Sequence, residues 1–205
     1  MTTPRRRPGR PPGPPDPVPT SVPPDPAPAP APRPPESASP PSGPESQAAD
    51  PAEPAALADM ELSHLRDVLR VERACFPDPW SLEAFRREVA RRSAGGYPRV
   101  LVEAGAVQAF AISWFVEDEA HLANLAVAPE RRRRGYGRIL LRDFLDEARR
   151  RGAATAWLEV RAGNDPARSL YLEHGFRVVG IRKGYYRKER EDAVIMVRDL
   201  FREPA

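Results

Sequence analysis

Two stretches of the chain carry residue types that could do chemistry. In Glu130–Leu141, ERRRRGYGRILL, four arginines precede Gly135, Tyr136 and Gly137. In Trp157–Phe176, WLEVRAGNDPARSLYLEHGF, a carboxylate, an amide and a phenol stand at Glu159, Asn164 and Tyr171. The first stretch has the makings of an anion site. An apolar run ends at Val127-Ala128-Pro129, and an amphipathic helix begins near Gly137. At such a junction the first N–H groups of the helix lack intrahelical partners and the helix dipole is positive. Glycines let an anion approach those amides, and the arginines add charge. A run of arginines alone is a solvated face, and a lone Gly-x-Gly says little; the position between strand and helix makes the loop a phosphate site. Two familiar phosphate loops are excluded. Arg138-Ile139 stands where a Walker A loop needs Lys-Ser/Thr, and Leu140 where a dinucleotide fingerprint needs its third glycine.

The second stretch offers two proton-moving side chains. Strand alternation puts Trp157, Glu159 and Arg161 on one face, with Leu158 and Val160 on the other. On the following helix, Ala167, Leu170, Tyr171 and His174 share a stripe. Taken singly, Tyr171 reads as a core tyrosine and Glu159 as an exposed strand carboxylate; as a pair they suit general acid–base work.

The elements that must position these residues follow from periodicity. SHLRDVLRVERACF, from Ser63, repeats Leu65, Val68, Leu69, Val71 and Phe76 at a helical period and stops at Pro77 and Pro79. Ser81, with Glu83 in the first turn, opens a short helix to about Arg91, and Gly95-Gly96 breaks the chain. RVLVEAG and VQAFAISWFVED, joined around Gly105-Ala106, read as an antiparallel hairpin, and HLANLAVAP as a third strand. Gly137–Arg151 is an amphipathic helix with Ile139, Leu140, Phe144, Leu145 and Ala148 inward; Gly152 ends it. TAWLEVRAGN is a strand, and DPARSLYLEHGF a helix capped by Asn164 or Asp165. FRVVGIRKGYY and DAVIMVRDL close the chain as a strand pair. A strand–helix–strand unit demands a parallel pair, so the fold class is α/β or α+β, a mixed sheet flanked by helices.

Composition sets the boundaries. Of 27 prolines, 21 lie before Ala55, and that segment holds almost no large apolar residue. Residues 1–54 therefore read as a disordered, partly polyproline-II tail, and 55–205 as one domain able to bury a core. A Pro-rich ligand for a partner is the functional alternative for the tail. The domain's mildly basic balance fits an anionic cofactor as well as RNA. Cys75, the one cysteine, permits no intrachain disulfide and reads as a small buried apolar residue. His64, His121 and His174 have no ligand spacing, so no metal site is expected. Without a secretory signal or a membrane-length apolar run, a cytoplasmic location is expected.

LAVAPERRRRGYGRILL resembles the acetyl-CoA-binding motif of the GNAT N-acetyltransferases, Arg/Gln-x-x-Gly-x-Gly/Ala, starting at Arg132 with Gly135 and Gly137 in the glycine positions. The resemblance implies a mostly antiparallel sheet with a central parallel pair, and acetyl-CoA as co-substrate. It implies pantetheine contacts from the backbone of Leu125, Ala126 and Val127, and phosphate contacts from Arg133, Arg134, Gly135, Tyr136, Gly137 and Arg138. FPDPWS, FAISWFVEDEAHLANLAV, WLEVRAGN, LYLEHGF, GYY and EDAVIM are similar to the ribosomal-protein-alanine N-acetyltransferases across Leu57–Leu200. That likeness implies Glu159 as general base, Tyr171 as general acid, Asn164 as a coenzyme A contact, and as acceptor the N-terminal alanine of the eighteenth small-subunit ribosomal protein. The chemistry is coherent. An α-amine of pKa ~8 is roughly one-fifth neutral near pH 7.4, so a carboxylate acting through water suffices to deprotonate it, and a phenol of pKa ~10 stays protonated to meet the departing thiolate. The thioester oxygen is expected at a backbone N–H near Val127. Asp78-Pro79 lengthen the segment between Phe76 and Trp80 relative to the shortest members, which bears on acceptor choice, and Tyr185 and Tyr186 are candidate groove walls. Rival readings are other protein N-termini, a lysine or a small amine as acceptor, and an RNA-binding module built on Arg131–Arg134, Arg149–Arg151 and the arginine-bearing tail. RNA recognition would want aromatics among the arginines, and only Tyr136 lies there, so no specific nucleic acid is expected.

Overall fold

Alternating apolar side chains build most of the sheet, seen in a computed structural model that describes residues 55–201. The expected Pro-rich tail, residues 1–54, lies outside the described residues. β2 (Gly96–Glu103) and β3 (Ala106–Val116) form the expected hairpin. Ala104 and Gly105 both turn at positive φ, 50° and 72°, as a two-residue hairpin turn requires. β1 (Ala56–Asp59) pairs with β2 and was not foreseen: ALAD is four residues long and too short for alternation to be read. β4 (Glu119–Val127), β5 (Thr155–Arg161), β6 (Arg177–Tyr186) and β7 (Glu191–Asp199) complete a sheet of order β1-β2-β3-β4-β5-β7-β6. Among the described residues only β4 and β5 run parallel. They are joined through α3 (Tyr136–Arg150), because a parallel neighbour cannot be reached by a tight turn.

Helices cover both faces. α1 (Leu65–Cys75) and α2 (Leu82–Ala90) pack Leu65, Val68, Val71 and Phe85 against Val100, Phe110 and Ile112. Ser81 caps α2 as expected, its hydroxyl accepting from the Ala84 amide at 3.2 Å. Ser63 does not begin α1; it lies in a 3-10 turn, Leu62–His64, ahead of it. On the opposite face α3 and α4 (Asp165–Glu173) enclose Leu158 and Val160. The inward set of α3 is Leu140, Leu141, Phe144, Leu145 and Ala148. Ile139, expected inside, is 39% exposed, because the apolar stripe lies one residue round the helix from that reading and buries Leu141 instead.

The feature that makes a site is an interruption of this sheet. Opposite β3, the register of β4 passes from Leu122↔Ser113 to Asn124↔Ile112, so Ala123 is an extra, bulged residue. The parallel pairing with β5 runs from Glu119↔Thr155 to Leu122↔Leu158 and stops there. Beyond it, Ala123–Val127 pair with β3 alone while Glu159–Arg161 pair with β7 alone. The sheet is split between its two central strands.

Candidate active site

The split exposes chosen backbone groups. The Ala128 amide donates to the Gln108 carbonyl at 2.8 Å, toward β3. Because N–H and C=O groups alternate sides along a strand, those of Leu125 and the Val127 N–H point away from β3, into the split, and those of Ala126 back toward β3; the Val127 carbonyl already accepts from Cys75 Sγ at 3.2 Å and Arg132 Nε at 3.4 Å. Of the three residues expected to meet pantetheine through their backbone, Leu125 and Val127 are therefore placed to do so. Ala126 is not: its main chain faces β3 and its side chain is buried.

The loop after β4 makes a second set of free amides. Pro129–Arg131 form a 3-10 turn, and Arg133 and Gly135 then take left-handed φ of 62° and 86°. The helical ladder of α3 begins with the Ile139 amide donating to Gly135 at 3.0 Å, so the amides of Tyr136, Gly137 and Arg138 lie ahead of it. The two glycines serve different ends. A Cβ on Gly135 would meet nothing within 4 Å, so glycine is needed there for its φ. A Cβ on Gly137 would sit 3.3 Å from Leu170 Cδ2 and 3.8 Å from both Leu125 Cδ2 and Val127 Cγ2. Gly137 thus lets α3 approach α4 and β4, rather than clearing space for an anion.

The side chains around this loop are partly committed. Arg134 lies 3.6 Å from Glu103 Oε1, and Arg131 Nε stands 2.7 Å from Glu103 Oε2 as an ion pair that is not aligned as a hydrogen bond. Arg138 pairs with Glu173 at 2.7 Å, both half-exposed and so cheaply exchanged for another anion. Arg133 has no ion pair among the described residues. The Tyr136 ring is in the core, and burial, then Glu103, pushes its hydroxyl above the ordinary phenol range. Its amide, not its side chain, faces the loop.

Glu159 and Tyr171 approach the split from opposite faces. Trp157, Glu159 and Arg161 share a face, as alternation required, and Leu158 and Val160 are buried on the other. Glu159 is held at both oxygens, by His121 Nε2 at 3.0 Å and by Arg182 Nη1 at 2.5 Å. Tyr171 sits with α3 and α4, edge-on to Phe176, and burial, then Tyr186, drives its hydroxyl far above the ordinary phenol range. Its hydroxyl stays protonated at any working pH. Tyr186 joins the two: its hydroxyl is pushed up to about 12, mainly by burial, against the pull of the Arg161 guanidinium, and it feels Glu159 as well as Tyr171. Arg161 lies 3.9 Å over the Tyr186 ring and pairs with Glu189 and Glu191. Asn164 is the cap of α4, its side-chain oxygen accepting from the Ala167 amide at 3.3 Å.

Other surroundings went unread in the sequence. His121 stacks on Trp157 at 3.7 Å and 7°, and meets Trp114 edge-on. Glu72, 1% exposed, accepts from the Trp80 amide at 2.8 Å and from Asn124 Nδ2 at 3.2 Å, tying the α1–α2 loop to β4 beside its bulge. Lys188 of the β6–β7 turn pairs with Asp78 of the α1–α2 loop. Cys75 is half-buried rather than buried, and its thiol donates to the Val127 carbonyl at 3.2 Å. Burial pushes that thiol up, which suits a donor and not a nucleophile.

The family model described as Acetyltransferase (GNAT) family matches residues 65–176, which hold the split, its loop, Glu159 and Tyr171. The chain belongs to that family and is an N-acetyltransferase. It is 40% identical over 142 residues to the [ribosomal protein bS18]-alanine N-acetyltransferase of Escherichia coli K12, covering 68% of this chain and 94% of that one. It is 34% identical to the putative enzyme of the same name from Bacillus subtilis, over 69% of this chain and 93% of that one. The crystal structure of the E. coli ribosomal-protein-S18-alanine N-acetyltransferase superposes with a TM-score of 0.66 at 37% identity, covering 73% and 96% of the two chains.

Proposed function

We propose that this enzyme transfers the acetyl group of acetyl-CoA to the N-terminal alanine of ribosomal protein bS18, in the cytoplasm. The observation that carries the reading is the split itself: the Leu125 and Val127 main chains face a gap with Glu159 on one side and Tyr171 on the other. Pantetheine takes the place of the missing strand against Leu125 and Val127. The diphosphate rests on the amides of Arg133–Arg138, with Arg133, Arg134 and Arg138 supplying charge and Asn164 a further contact. The thioester carbonyl accepts from the Val127 amide, which is fixed before the reaction and so stabilises the developing oxyanion.

Glu159 takes a proton from the incoming α-ammonium. The freed nitrogen attacks the carbonyl carbon, a C–N bond forms and the C–S bond breaks. Tyr171 protonates the departing thiolate and recovers its proton from the nitrogen, now an amide. The α1–α2 loop with Asp78 and Trp80, and the β6–β7 hairpin with Tyr185 and Tyr186, wall the acceptor groove. The test is acetylation of intact ribosomal proteins, with α-amine and ε-amine peptides alongside. A single acetyl group on bS18 and faster turnover of Ala-starting peptides than of lysine peptides are expected; no turnover of any N-terminal peptide would overturn the reading. Glu159→Gln and Tyr171→Phe should bind acetyl-CoA normally and turn over slowly, by about 10²-fold or more.

A further inference from the structure

Glu103, the last residue of β2, is a buried carboxylate at the foot of the phosphate loop, 7% exposed. A carboxylate so placed is costly unless cations meet it, and two do so from the loop itself. Arg131 Nε stands 2.7 Å from Oε2, and Arg134 Nη1 lies 3.6 Å from Oε1. Oε2 and Nε are both shut from solvent, so their attraction is little screened. The hydroxyl of Tyr136, the first residue of α3, meets Glu103 and Arg134 as well. The carboxylate thus grips the chain before the apex of the loop, beyond it, and at the start of the helix. Between the two gripped arginines lies Arg133, held at φ 62°. That φ is unfavourable for an ordinary side chain, so something must hold it, and left-handed backbone in a turn is what lets successive amides converge on an anion. The entry to the loop is anchored separately. The Ala128 amide donates to Gln108, and Arg70 of α1 pairs with Glu130 at 3.3 Å while donating to the Val107 carbonyl at 2.8 Å. Among the described residues, Glu103 is the group that reaches both sides of the apex.

We propose that Glu103 is a positioning residue for acetyl-CoA: it staples Arg131 to Arg134 and so holds the loop in its diphosphate-binding shape before the donor arrives. This rests on the reading that the loop binds the diphosphate. Buried ion pairs add little stability over apolar packing, which leaves position as what Glu103 supplies. The two contacts are also graded. Arg131 is the closer and the less exposed, 30% against 51%, and stays on the carboxylate. Arg134, farther away and half-exposed, exchanges the carboxylate for the diphosphate at little cost. A loop shaped beforehand loses less conformational freedom when the donor binds, so the gain falls on affinity for acetyl-CoA and not on the transfer step. Glu103 lies under the loop and acts through the arginines, not on the reacting atoms.

The experiment follows initial rates on an Ala-starting peptide with two donors, acetyl-CoA and S-acetylpantetheine, which offers the same thioester but no diphosphate. Glu103→Gln keeps the shape of the side chain and removes its charge. It should raise the acetyl-CoA KM about 10-fold, the scale for two long side chains ordered at binding instead of beforehand, and leave kcat within about 2-fold. The kcat/KM for S-acetylpantetheine should not change. Arg131→Met cuts the same tie from the loop side, at a residue given no phosphate contact, and should act alike. The double variant should be no worse than either single one, because the same staple is lost only once. If Glu103→Gln fails to fold, Arg131→Met decides with the same two donors. An unmoved acetyl-CoA KM overturns the proposal, as does a loss carried by kcat or a double variant whose losses multiply. Equal losses with both donors mean a structural role alone and overturn it too. A wild-type enzyme that uses acetyl-CoA no better than S-acetylpantetheine sinks the underlying reading of the loop instead, whatever the Glu103 variant does.

Discussion

Glu72 is the buried group whose removal should be felt most clearly. Its two oxygens satisfy the Trp80 amide and the Asn124 side chain, so Glu72→Leu leaves two donors without partners. Each orphaned donor costs about 1–3 kcal/mol, and relief from burying a carboxylate offsets part of that. A net loss of about 3 kcal/mol is expected, or about 6–12 °C in Tm for a domain of this size. Glu72→Gln separates charge from hydrogen bonding. Burial raises the Glu72 carboxyl above its ordinary value, against the pull of Trp80 and Asn124. A group raised in the folded state contributes stability that is complete below its unfolded value and lost as pH rises through the folded one. Relative to the non-titrating glutamine variant, wild type should therefore be favoured most in acid, and the gap should narrow toward neutral pH. Urea melts of the two at about pH 4 and about pH 7 measure it. A gap that stays constant, or that widens in favour of wild type toward neutral pH, would refute the reasoning, as would a leucine variant as stable as wild type. Acceptor KM should also rise in Glu72→Leu while acetyl-CoA KM holds, because the tether places the α1–α2 loop.

Two smaller predictions accompany it. Gly135→Ala places a side chain at φ 86° in open space, so it should cost about 1–2 kcal/mol of stability or shift the loop, raising acetyl-CoA KM; Gly137→Val forces branched atoms toward Leu170, Leu125 and Val127 and should lower Tm more than it changes KM in what remains folded, both read from melts and initial rates. Cys75, with its thiol pushed up by burial and donating to Val127, should react with iodoacetamide far more slowly than glutathione near pH 8, and Cys75→Ala should retain most activity; rapid alkylation would contradict its placement.

What was legible in the sequence is what is local. The faces of α1 and α4, the cap at Ser81, a hairpin turn read at Gly105-Ala106 and found one residue earlier, and the placing of Glu159 on the strand face opposite Leu158 all follow from period and turn chemistry within a few residues. The glycine–arginine loop could be placed because strand and helix flank it directly. Ile139 was misplaced because α3 has apolar residues on both sides of its stripe, and only packing against the sheet decides between Ile139 and Leu141. The split rests on a bulge at Ala123, visible only once β3 and β5 are both in register. For the same reason His121 carried no signal: its partners Trp157 and Glu159 lie 36 and 38 residues away.

The central claim is that Leu125 and Val127 offer their main chain to the donor substrate where β5 has parted from β4. Amide-resolved hydrogen exchange by NMR, with and without acetyl-CoA, tests it most directly. Protection should rise at the Leu125 and Val127 amides and stay level at Ala126, which already faces β3. No change at Leu125 and Val127, or equal gains at all three, would contradict it.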